Sequence, residues 1–143
     1  MQLCFFEDDT YTNFFPLTLT RPVEDLRTGI LTLAEKWHYA LDQASWSRYV
    51  RSELDTVFSS LSLDRSQSSL WINGRYLPSN NLVQHLKQLE SGTCLKKDAT
   101  IIAAYVDADT TAQWVEKGQP DFGSLLVVEA PDFPSVSHLW DLF

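Results

Sequence analysis

Thr100–Val106 reads TIIAAYV, the clearest β-strand in the chain, and the fold is read outward from it. Downstream, Thr110–Lys117 predicts a helix and Ser124–Ala130 (SLLVVEA) a further strand. Upstream, Leu82, Val83, Leu86 and Leu89 recur at helical spacing over Ser79–Leu89, with Ser79 or Asn80 as the cap. Leu70–Ile72 predicts a strand that runs into Asn73-Gly74, and Asp64–Ser69 (DRSQSS) a polar loop before it. Glu53–Leu61 predicts a helical turn or two, and Ala44–Tyr49 a short strand. Ile30, Leu33, Ala34, Trp37 and Leu41 predict a helix that opens at Thr28-Gly29 and ends near Asp42. Leu3–Glu7 (LCFFE) is an apolar run closed by acidic residues and predicts a buried first strand. Strands that alternate with helices specify an α/β sheet, mostly parallel, with crossover helices on its faces. Ligands in such sheets sit beyond the carboxyl ends of the strands, so the candidate loops are Asp8–Thr28 and Asn73–Pro78.

Composition bounds what the chain can do. Its 143 residues suit one domain, and 44% hydrophobic residues suffice for a packed core. A net charge of -8 argues against nucleic acid, because a phosphate backbone demands a surplus of Lys and Arg. One small phosphate ligand needs only a local cluster of positive groups. Cys4 and Cys94 stand far apart, with no Cys/His set at zinc spacing, and read as reduced core thiols of a cytoplasmic protein. No apolar run is long enough for a membrane helix. Glu7, Asp8 and Asp9 break the first apolar run, which excludes a signal peptide. The last residues, SHLWDLF, are apolar, and the expectation is an N-terminal portion of a longer protein.

The long connection from Phe14 to Thr28 carries Pro16 and Pro22 without a clear period, and long loops in small domains are commonly functional. It holds Arg21 and Arg27 either side of Glu24-Asp25, just ahead of the predicted helix. Guanidinium forks pair two phosphate oxygens at once, so these arginines are candidate phosphate ligands. They could equally tie the loop to main-chain carbonyls or to Glu24 and Asp25. Asn73-Gly74-Arg75 follows a strand: Arg75 and Asn73 are candidate substrate contacts, while Asn-Gly is also a common tight turn with positive φ. Glu7, Asp8 and Asp9 could hold Mg²⁺ or form a solvated strand end. Glu35 and Lys36 read as a solvated helix face. His38, His85 and His138 have no visible catalytic partner, and the five tryptophans suit core packing.

Four segments resemble the sugar nucleotidyltransferase-like proteins, relatives of glucose-1-phosphate thymidylyltransferase and N-acetylglucosamine-1-phosphate uridylyltransferase. They are TLTRPVEDLRTGILTLAEKW (Thr18–Trp37), WINGRYLP (Trp71–Pro78), TIIAAY (Thr100–Tyr105) and the terminal LWDLF. The resemblance implies a Rossmann-like nucleotide-diphospho-sugar transferase sheet, here an incomplete portion of the full domain. It implies a reaction of a sugar 1-phosphate with a nucleoside triphosphate that releases pyrophosphate, with Mg²⁺ as cofactor. The partners would be a sugar phosphate and a nucleotide, with neither nucleic acid nor membrane. Homo-oligomers would form through a C-terminal region beyond this stretch.

Such relatives carry a glycine-rich loop ending in Gly-x-Gly-Thr-Arg after the first strand. Here the place reads EDDTYTNFFPLTLTR, with no glycine between Met1 and Thr28, and Arg21 matches the arginine. Pro22 is followed by Val23 where relatives have Pro-Lys. Asn73-Gly74-Arg75 stands where they end a strand in Gly-Asp. These departures leave a second reading open: a catalytically silent module that docks or regulates a C-terminal left-handed β-helix acyltransferase.

Overall fold

The computed structural model describes residues 2–6, 15, 23–28, 31–41, 47–49, 63–117, 120–133 and 135. The first strand, β1 (Gln2–Phe6), alternates its side chains between two cores: Leu3 and Phe5 enter one, Cys4 and Phe6 the other. A short 3-10 turn at Val23–Asp25 leads into β2 (Arg27–Thr28), which pairs antiparallel with β3 (Leu31–Thr32). Helix α1 (Leu33–Leu41) follows at once, then β4 (Ser47–Arg48) and β5 (Ser69–Asn73). Helix α2 (Asn80–Lys87) leads to β6 (Thr93–Lys97), β7 (Thr100–Val106), helix α3 (Ala108–Lys117) and β8 (Leu126–Glu129).

The main sheet has the order β4-β1-β5-β7-β6-β8. β1 runs parallel to β4 and β5, β6 runs parallel to β8, and β7 alone opposes both of its neighbours. The mostly parallel α/β sheet read from the sequence is thus formed. Helices cover both faces. Ala34 and Trp37 of α1 and Leu82 and Leu86 of α2 pack on Leu3, Phe5, Leu70 and Ile72. Trp114 of α3 packs on Cys4, Phe6, Trp71 and Ala104. Trp71 lies 5.2 Å from Trp114 edge to face, a favoured ring geometry. A buried relay pins α3 to the sheet: the Trp71 indole N–H donates to Ser69 Oγ (2.9 Å). Ser69 in turn meets Thr111 Oγ1 (2.8 Å), which donates to the Asp107 carbonyl (2.8 Å).

Two sequence expectations change. The helix predicted from Thr28-Gly29 begins at Leu33, because the β2–β3 hairpin occupies the chain before it. Ile30 fits the helical period by sequence and lies outside the described residues, as does Glu53–Leu61. The sequence pattern gives no strand at Thr93–Lys97, yet β6 forms there, held on both sides by β7 and β8. Its hairpin to β7 turns at Asp98, in the left-handed region with φ 53°. A register shift between Leu95 and Lys96 makes Ile102 the extra residue opposite β6, so Ile102 and Ala103 both enter the same core.

Candidate functional site

Parallel neighbours β1 and β5 end side by side, with Phe6 opposite Asn73. Open α/β sheets bind their ligands beyond the carboxyl ends of such neighbouring strands, so this end of the sheet is the candidate site. The Gly74 amide donates to the Phe6 carbonyl at 2.7 Å and closes the last rung. Asn73 is buried: its Nδ2 donates to the Ile101 carbonyl (3.1 Å), and its Oδ1 accepts the Arg75 amide (3.3 Å). This Asx turn replaces the positive-φ turn read from Asn-Gly, because Gly74 has no left-handed φ. A different need explains the glycine. A Cβ at Gly74 would stand 3.1 Å from the Cβ and Oε2 of Glu24 and 3.2 Å from its backbone nitrogen. The 3-10 turn therefore lies directly on the exit of β5, with Glu24 buried beside it.

That contact sets where Arg27 goes. Leu26 is buried, and its carbonyl accepts the Leu33 amide at 2.9 Å, fixing the chain between the turn and α1. The next residue, Arg27, is exposed. Arg75 has a different setting. It is 7% exposed, its Nη1 donates to Ser135 Oγ (3.3 Å), and its guanidinium stacks 5.0 Å from the Tyr76 ring centre. Tyr76 bridges Ser135, and its carbonyl accepts the Trp37 indole N–H at 2.8 Å. Arg75 and Asn73 thus meet in one turn, joined to α1 and to the chain after β8. Arg21 lies outside the described residues, as do Glu7, Asp8, Asp9 and His138.

Glu35, read from the sequence as part of a solvated helix face, also caps the helix. Thr32 Oγ1 accepts the Glu35 amide and Glu35 Oε1 accepts the Thr32 amide, both at 3.1 Å. This reciprocal pair is a capping box, legible in the sequence as Thr-x-x-Glu, and the Thr32 amide holds the Glu35 carboxyl below its ordinary range. The remaining chemical groups are quiet. Cys4 and Cys94 are buried thiols, and burial pushes the Cys94 thiol up, away from nucleophilic reactivity. His85 sits on the Asn81 carbonyl and edge-on to Phe133. Among the described residues, no three His, Cys, Asp or Glu side chains converge on a point that could hold a metal ion. The carboxylates read from the sequence as Mg²⁺ ligands, Glu7, Asp8 and Asp9, are not among them. Among the described residues no helix is long and apolar enough to cross a membrane.

The sugar nucleotidyl transferase family model matches residues 3–143. The chain belongs to the sugar nucleotidyl transferase family. A similar solved structure is that of a candidate glucose-1-phosphate thymidylyltransferase from Bacillus anthracis, in complex with a sucrose. The match covers 99% of this chain and 92% of that one, at 11% identity and a TM-score of 0.56. At that identity the likeness shows the fold alone, and it agrees with the sheet described above. No curated protein matches the sequence. Membership in the sugar nucleotidyl transferases supports a general nucleotidyl transfer role for the chain.

Proposed function

We propose that the chain binds a sugar 1-phosphate and a nucleoside triphosphate at the carboxyl ends of β1 and β5, and that Arg21 and Arg27 supply the positive charge. In the reaction a phosphate oxygen of the sugar attacks the α-phosphorus of the triphosphate in line. The bond from that phosphorus to the bridging oxygen breaks, pyrophosphate leaves and an NDP-sugar forms. Charge accumulates on the phosphorus oxygens as the bond order changes, and fixed guanidinium groups offset it without reorganising. Arg75, stacked and bonded within the turn after β5, keeps the wall of the site in place beside Asn73. A divalent cation, held by Glu7, Asp8 or Asp9 together with the substrate, would lower the charge on the phosphates.

The observation that carries this reading is the setting of Arg27. It is exposed immediately after a segment that packs on Gly74, at the end of β5, in a chain of this family. The test is a thermal shift and a pyrophosphate-release assay with glucose 1-phosphate, each nucleoside triphosphate and Mg²⁺. A ligand present at a hundred times its dissociation constant should add about 2.7 kcal/mol of stability. Arg27→Ala is expected to abolish most of that gain while leaving the ligand-free melting temperature nearly unchanged. Equal ligand gains in the variant and the parent chain would overturn the reading.

A further inference from the structure

Arg27 and Thr32 are direct Cα partners across the β2–β3 hairpin, so their side chains share one face. Thr32 is also the residue that caps α1, through its two hydrogen bonds with Glu35. The hairpin has only two residues per strand and gains little stability from its own ladder. Its anchors are the Leu26–Leu33 backbone bond and this cap. We infer that Glu35 is a positioning residue for Arg27: the capping box locks the hairpin onto α1 and thereby fixes the direction in which β2 presents its guanidinium. The inference rests on reading Arg27 as an anion ligand. An independent sign of proximity is that the Arg27 charge, with His38 one turn along α1, helps hold the Glu35 carboxyl low, after the larger effect of Thr32. A hairpin that moved off α1 would carry Arg27 away from the position in which it meets its anion, and each productive contact would then bear that ordering cost.

Two measurements test this. The Glu35 side-chain carboxyl is titrated by NMR, without ligand, in the parent chain, Arg27→Ala and Arg27→Lys. Its midpoint is expected to rise in Arg27→Ala and to stay near the parent value in Arg27→Lys. An unchanged midpoint in Arg27→Ala overturns the inference, and this arm needs no variant of the cap. In the second arm, glucose 1-phosphate affinity is measured for Glu35→Ala and Glu35→Gln, with Arg27 and with Arg27→Ala. Glu35→Ala is expected to weaken binding roughly fivefold when Arg27 is present and less than about twofold when it is absent. Glu35→Gln should recover most of the loss, because its side-chain carbonyl still accepts the Thr32 amide. An equal loss in both backgrounds overturns the inference, since a merely structural cap would act without Arg27. If Arg27→Ala leaves glucose 1-phosphate affinity unchanged, the reading of Arg27 as an anion ligand falls instead. The titration then still decides whether Glu35 and Arg27 are coupled.

Discussion

A single missing Cβ lets the 3-10 turn rest on β5. A Cβ added at Gly74 would meet Glu24 at distances tighter than ordinary van der Waals contact, and the facing atoms include a backbone nitrogen and a Cβ, which cannot swing aside. Gly74→Ala is therefore expected to destabilise the fold by about 1 to 3 kcal/mol, the usual cost of overpacking. Urea unfolding measures it, and a midpoint equal to the parent would mean that the turn yields freely. Thr111 acts at the same scale on the other face. Replacing its hydroxyl by a methyl in Thr111→Val keeps the shape but leaves the buried Ser69 hydroxyl without its acceptor, while the Asp107 carbonyl keeps the Thr111 amide. The expected cost is about 1 to 3 kcal/mol, seen as a lower urea midpoint at unchanged slope. Neither effect could be read from the sequence. Asn73-Gly74 has the composition of a tight turn, and only the approach of a segment about fifty residues away reveals what the glycine is for.

Helix α1 shows how element boundaries follow local chemistry more than period. Ile30, Leu33, Ala34, Trp37 and Leu41 fit one helical face, so periodicity carries the helix back to Thr28. The Thr32–Glu35 box starts it at Leu33. That signal was present in the sequence. β6 was harder to see, since Lys96 and Lys97 give it a surface composition and its pairing on both edges exists only in three dimensions. The cap also makes a pH prediction. The Thr32 amide and hydroxyl lower the Glu35 carboxyl from its ordinary 4.5, and Thr110 lowers Asp107 at the start of α3 from its ordinary 3.8. Each folded-state value lies below the unfolded one. The stabilisation is therefore complete above the ordinary values and fades as pH falls through the lowered ones. Urea midpoints are expected to hold from neutral pH down to about pH 5 and to fall below pH 4.5. Glu35→Gln should flatten part of that fall. A fall of the same depth in Glu35→Gln would show that the cap does not titrate with the fold.

Two cores, one on each face of a single sheet, make the molecule depend on that sheet as a unit. Apolar runs set between helical patterns were enough to predict the sheet, because buried strands read as apolar runs whichever face each residue takes. Which helix covers which face was not legible, since the connections that decide it pass through Phe14–Thr28 and Glu53–Leu61. Cys4 and Cys94 report on the second core: they are 0% and 1% exposed, beneath the α3 face. Burial also raises the Cys94 thiol, so thiolate is scarce even when a reagent arrives. In the native protein both thiols are expected to resist an aromatic disulfide reagent on the timescale that labels free cysteine. Labelling across a urea series should then follow the same transition as tryptophan fluorescence, because Trp37 and Trp114 lie on opposite faces of the shared sheet. If one thiol reacts at urea concentrations where the fluorescence is still native, α3 opens by itself and the two cores are separate cooperative units. The Thr111→Val variant discriminates further: with its tie to Ser69 cut, labelling should precede the variant's own fluorescence transition only if α3 can leave the sheet alone.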